Sequence, residues 1–157
     1  NGTMDTKALD PFVAAIRDVF SQMFSIDAAP SPARLVDGPE DHDWDISGIL
    51  GITGAAHGIV AVRLPLGLVD ELLRASGVES ADEAERKATV SGLVGEITNI
   101  VAGNAIAAFP DLALDISPPV VVKGKNHQIT WPKIAPVMGV RFSSPAGAFE
   151  LGLCFKA

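Results

Sequence analysis

A chain of 157 residues, 48% hydrophobic and 20% charged, is long enough for one domain with a real core and too apolar for a disordered one. Its formal charge of −7 argues against nucleic acid or an anionic membrane surface as a partner, and a single cysteine excludes an internal disulfide and a cysteine-built zinc site. With no apolar run of membrane-spanning length and no secretory signal pattern, the sequence reads as that of a cytoplasmic protein.

Asn1-Gly2-Thr3 ahead of Met4 reads as an expression remnant, which leaves 4–157 as a single domain. Asp10-Pro11 predicts a helix start, with Asp as cap and Pro in the first turn. Phe12, Ile16, Val19, Phe20 and Met23 follow at helical spacing. From 28 to 40 the prolines Pro30, Pro32 and Pro39 predict an extended or looped stretch, with a short edge strand around Leu35. Asp37, Glu40, Asp41, Asp43 and Asp45 then gather around His42. Loop carboxylates of this kind are mostly just solvated, and metal binding is the minor alternative.

Residues 46–53 and 59–64 alternate as strands and are joined by Gly54-Ala55-Ala56-His57-Gly58, a hairpin with His57 in its turn. The glycines resemble a phosphate loop only superficially, because such a loop opens a helix and this one leads into a strand. Pro65 opens a short helix carrying Leu68, Val69, Leu72 and Leu73, and Gly77 closes it.

The stretch 81–109 predicts the longest helix, started by a capping box of Ser80 and Glu83 and stopped by Pro110. Val90, Leu93, Val94, Ile97, Ile100, Val101, Ala105 and Ala108 fall on one broad stripe, the expected buried one. Glu96 and Asn99 stand together well away from it, with Thr89, Gly92 and Gly103 on their own face and Gly95 beside it. Each glycine costs a helix interior roughly 0.5–1 kcal/mol relative to alanine, so the face is unusual for one that needs only solubility. Two readings follow. Either a neighbouring element of the same chain packs closely there, or the sparse surface lets another molecule approach the acid and the amide. An isolated E-x-x-N does not choose between them.

Beyond this helix the chain turns to strands, expected at 120–123, 127–131, 134–142 and 148–155. Gly124-Lys125-Asn126 and 143–147 form the hairpin tips. Phe149, Leu151, Leu153 and Phe155 share one face of the last strand, which puts Cys154 on the other as a packing residue. The expected fold is therefore α+β, an antiparallel sheet with a long central helix and further helices packed on it. No nucleophile elbow, zinc-protease motif or histidine pair is present, and His42, His57 and His127 fall in loops or hairpin edges.

Four stretches carry a resemblance. Asp10-Pro11-Phe12 opens the first helix. Ile46-Ser47-Gly48-Ile49-Leu50-Gly51-Ile52-Thr53-Gly54 forms the first hairpin. Gly95-Glu96-Ile97-Thr98-Asn99-Ile100-Val101-Ala102-Gly103-Asn104 lies in the long helix, and Pro118-Pro119-Val120-Val121-Val122-Lys123-Gly124 follows it. Together they resemble the CheX branch of the CheC/CheX/FliY family of chemotaxis phosphatases over nearly the whole chain. The resemblance implies hydrolysis of the aspartyl-phosphate of a CheY-like response regulator. In it Asn99 orients the attacking water, Glu96 pairs with a regulator lysine, and Gly92, Gly95 and Gly103 form the docking surface. It implies no cofactor of the chain's own, Mg²⁺ on the regulator, and a homodimer through sheet edges. Where the family often has an aspartate four residues before the glutamate, this chain has Gly92. The alternative from another class is a non-catalytic module that docks a regulator or flagellar-switch component. A small-molecule sensor has no positive support in the sequence.

Overall fold

The computed structural model describes residues 6–156, so residues 1–3, read as an expression remnant, lie outside the described residues. Three helices, α1 (Leu9–Phe24), α2 (Leu66–Ala75) and α3 (Glu83–Ile106), are described, and the described strands form one sheet. In chain order these are β1 (Ala29–Pro30), β2 (Arg34–Leu35), β3 (Ile46–Thr53), β4 (His57–Leu64), β5 (Asp115–Ile116), β6 (Val120–Lys123), β7 (Val137–Ser143) and β8 (Phe149–Lys156). Every pairing is antiparallel. The central order is β7-β8-β4-β3; β1 and β2 share the outer edge of β7, and β5 and β6 share that of β3. The α+β expectation holds.

Alternation gives the sheet two faces. The inner face presents Ile46, Leu50 and Ile52 from β3, Val60, Val62 and Leu64 from β4, and Phe149, Leu151 and Leu153 from β8, all buried. Helices cover this face. Phe20 of α1 stacks on Phe149 at 4.4 Å, and Phe149 on Phe142 at 5.0 Å, so α1 is fixed to the sheet by an aromatic column. α1 and α3 pack on each other, and α3 lies against β3 and β4.

Sequence and structure part at four places. α1 begins at Leu9 with Ala8 at its N-cap and no side-chain cap, so Asp10 sits inside the first turn, where its charge favours the helix N-terminus. The cap of α3 is Asp82 rather than Ser80: Asp82 accepts the Glu85 N–H at 2.8 Å, and the Glu85 carboxylate accepts the Ala81 N–H at 2.9 Å. Residues 127–131 form no strand, and β7 starts only at Val137. The cause is topological. β6 lies beside β3 and β7 lies beyond β8, so the connection 124–136 must cross the outer face of β4 and β8. Trp131 lies on Gly152, where a Cβ would come 3.0 Å from the indole, and the Cys154 thiol donates to the carbonyls of Pro132 and Ala135. Cys154 is thus a packed residue of the outer face, as expected, and burial raises its pKa. His57, expected in the turn, is the first residue of β4.

The segment 36–45 lies on the same outer face, and it turns the acidic cluster into separate fittings. Glu40 pairs with Arg34, which holds its carboxyl below the usual carboxylate range. Asp41 accepts from Asn126, and Asp45 accepts the Leu66 N–H at 2.9 Å, capping α2 from a distance. Among the described residues no three His, Cys, Asp or Glu side chains are grouped to hold a metal ion, and no helix is long and apolar enough to cross a membrane.

Candidate functional site

α3 positions the acid and the amide. Its buried side is Val90, Val94, Ile97, Val101, Ala102 and Ala105 together with Gly95 and Thr98, while Leu93 and Ile100 are half-buried. Ala108 falls beyond the helix end and is exposed, so the stripe ends at Ala105. Glu96 and Asn99 are exposed, one turn apart on the side away from the core. Neither makes a hydrogen bond or ion pair within the described residues. Two polar side chains side by side, both uncommitted, are what a site completed by another molecule would present.

They stand on one wall of a groove of about 620 Å³. The helix wall is Ser91, Gly92, Gly95, Glu96 and Asn99; the facing wall is Ile116, Ser117, Pro118, Pro119 and Val121. That second wall is tied to the sheet. The Ser117 N–H donates to the Gly51 carbonyl at 2.9 Å, and the Ser117 hydroxyl accepts the Gly51 N–H at 2.8 Å. β6 then continues the attachment along β3, with Val121 opposite Gly48.

The three glycines part company. A Cβ at Gly92 would meet nothing within 4 Å, so no packing inside the chain calls for a glycine there. Gly95 is buried, and a Cβ would touch Val121 at 3.5 Å and Pro119 at 3.6 Å. For Gly95 the close neighbour is therefore an element of the same chain. Gly103 is half-buried, with Ile116 3.9 Å from a Cβ, and it lies outside the groove. The structure brings Gly92, Gly95, Glu96 and Asn99 together and leaves Gly103 about one turn further along the helix.

Chemically the groove offers one anion, one neutral donor–acceptor and an apolar wall. Its two hydroxyls are those of Ser91 and Ser117; Ser117 is committed to backbone groups, and neither is hydrogen-bonded to a carboxylate or an imidazole, so no activated nucleophile is built among these lining residues. An amide next to a carboxylate can instead hold a small polar molecule on one side and a cation on the other.

Sequence reading missed the facing wall as part of the site, although Pro118-Pro119 ahead of a strand was a usable signal for a rigid edge. It also missed a polar row on the outer sheet face. Ser47, Arg63, Glu150 and Arg141 lie opposite one another across β3, β4, β8 and β7. Ser47, Arg63 and Glu150 are buried. Arg63 donates to Ser47 at 3.1 Å and to the His127 carbonyl at 2.8 Å, while Arg34 donates to Glu150 at 2.8 Å. Arg141 lies over the Trp44 ring, 5.2 Å from its centroid.

Known proteins share this fold. The family model described as chemotaxis phosphatase CheX matches residues 46–143. The solved structure of a CheX chemotaxis protein from Vibrio vulnificus is 31% identical, with 96% of this chain and 99% of that one covered and a TM-score of 0.83. A CheX from Desulfovibrio desulfuricans is 26% identical over 96% and 99% of the two chains, with a TM-score of 0.85. A complex of CheX, CheY, BeF3 and Mg²⁺ from Borrelia burgdorferi is 22% identical over 98% and 100%, with a TM-score of 0.80, a likeness of fold. The search of curated proteins returned no match.

Proposed function

The chain belongs to the CheX family of chemotaxis phosphatases, and from that premise we propose that it dephosphorylates a CheY-like response regulator, with Glu96 and Asn99 as the working pair. The observation that carries this reading is the pair itself: exposed, one turn apart, without partners among the described residues, and facing a groove open to another molecule. A chemotaxis CheX has a partner of this kind in the Borrelia burgdorferi complex with CheY.

In the proposed mechanism the regulator brings the phosphorylated aspartate and a lysine. The Glu96 carboxylate pairs with that lysine and sets the register of docking. The Asn99 amide enters the regulator's site, where its oxygen accepts from a water and its N–H donates to a phosphoryl oxygen, without adding charge against the phosphoryl group. The water attacks phosphorus, the bond from phosphorus to the aspartyl oxygen breaks, and inorganic phosphate and the free carboxylate result. The chain's contribution is orientation, which converts a water from bulk into one held in line. Mg²⁺ belongs with the regulator in this reading. One carboxylate and one amide beside the groove are too few oxygen ligands to hold that ion alone. A homodimer through the sheet edges, where β6 has no strand on its far side among the described residues, is part of the same proposal.

The test is the decay of a phosphorylated CheY-type regulator. Wild-type protein should speed it, and Asn99→Ala or Glu96→Ala should each remove most of the effect while leaving the fold intact. Binding without faster decay would replace the phosphatase by a docking module.

A further inference from the structure

At one point α3 touches the sheet with almost no side chain between them. Gly48, in the middle of β3, faces Thr98 in α3. A Cβ built on Gly48 would lie 2.0 Å from the Thr98 hydroxyl oxygen, 3.0 Å from its Cβ and 3.1 Å from the Val94 carbonyl oxygen. The hydroxyl itself is satisfied within the helix, donating to the Val94 carbonyl at 2.8 Å. Thr98 and Gly48 are both buried, Thr98 completely. The strand therefore provides a notch one side chain deep, and the helix drops a threonine into it.

The notch has consequences for the site because of where Thr98 stands. It is adjacent to Asn99 and two residues from Glu96, so the contact that sets the rotation of this turn also sets the direction of both groups. On the groove side the same turn is held by Pro119 and Val121 against Gly95. Val121 is the register partner of Gly48 in β6. One turn of α3 is thus gripped from two sides at the same level of the sheet, and Asn99 leaves it on the remaining free side.

We propose that Gly48 and Thr98 are positioning residues, whose contact fixes the rotation of α3 and so aims Glu96 and Asn99. The step from aim to rate rests on the phosphatase reading; the step from contact to helix rotation does not. A displacement of about 1 Å at a catalytic group can cost a hundredfold in rate, so a notch of this depth is large enough to matter.

The experiment uses Thr98→Ala, Gly48→Ala and the double variant, with two independent readouts. Residual dipolar couplings of α3 amides in the free protein report helix orientation relative to the sheet. Kinetics with the phosphorylated regulator report kcat and KM separately. Thr98→Ala empties the notch. It should rotate α3 and lower kcat about tenfold, with KM changed less than threefold. The double variant puts a methyl back into the notch from the strand side and removes the 2.0 Å overlap, but the contacts of 3.0 Å to the residue 98 Cβ and 3.1 Å to the Val94 carbonyl oxygen remain, so the couplings and kcat should return only part of the way to wild type. Gly48→Ala alone should be the most disturbed of the three. If it fails to fold, the comparison of Thr98→Ala with the double variant still decides. Unchanged couplings in Thr98→Ala, or a double variant no nearer to wild type than Thr98→Ala, overturns the seat. A wild-type protein that leaves regulator decay unchanged overturns the phosphatase reading instead, and the seat then stands or falls on the couplings alone.

Discussion

Ser47 and His127 are hydrogen-bonded at 2.6 Å beneath the segment that crosses the outer face of the sheet. With the ring neutral, the surrounding bonds order the donors. His127 gives its Nδ1 proton to the Gly124 carbonyl at 2.7 Å, so Nε2 accepts from the Ser47 hydroxyl, whose oxygen accepts from Arg63. Burial lowers the His127 pKa, and the charge of Arg63 and the neighbouring His42 add to the effect, against the Gly124 hydrogen bond and the charge of Asp45.

The folded chain thus binds fewer protons at His127 than the unfolded chain does, and stability follows the proton balance. The contribution is fully present above the unfolded value, about 6.5 for histidine. It is lost as pH falls below that value through the lower folded one. Urea titrations between roughly pH 5 and 8 should show this slope, and His127→Asn should flatten it. Equal slopes in the two proteins would remove His127 from the account.

Arg34 holds Glu150 from the edge strand, and Glu150 is 3% exposed. Arg34→Ala leaves a buried carboxylate without its pairing cation, at a cost of about 2–3 kcal/mol given the partial exposure of the pair. Adding Glu150→Gln to that variant removes the stranded charge and should recover about half of the loss. Chemical denaturation at neutral pH measures both.

Gly92 has open space where its side chain would be. Gly92→Ala should raise folding stability by about 0.5–1 kcal/mol through helix propensity alone. If the bare surface serves docking, the same variant should raise KM for the phosphorylated regulator. A more stable protein with unchanged KM would show that Gly92 is incidental to the partner.

Asn99→Asp keeps the shape of the amide, loses its donor and adds a negative charge. Facing phosphoryl oxygens, that charge should lower kcat at least as far as Asn99→Ala, roughly a hundredfold. Activity in Asn99→Asp close to wild type would rule out contact between this side chain and the phosphoryl group.

How much of this was legible in the sequence depended on the distance over which each decision is made. α3 and its polar pair were legible because helical period and the E-x-x-N spacing are local. The helix start was misplaced by two residues, since Ser80/Glu83 and Asp82/Glu85 both satisfy the same capping pattern and only geometry separates them. Residues 127–131 carry a strand-like composition, yet the positions of β6 and β7 on opposite sides of the sheet oblige this stretch to cross it. The polar row was invisible for the same reason. Its partners lie 16 to 116 residues apart, and a lone arginine in β4 gives no sign of the serine or the crossing backbone it will meet. Gly48 stands in the first-hairpin motif, but its notch exists only once a helix is laid on it.

The two walls of the groove differ mechanically. One is a 24-residue helix packed on α1 and on the sheet. The other is carried by strands of two and four residues that hang from the outer side of β3 with nothing described beyond them. The shorter wall is braced from the other direction, by Pro119 and Val121 against Gly95 of the helix. Each wall thus steadies the other, and a guest meets a groove already shaped while the reactive pair keeps its aim.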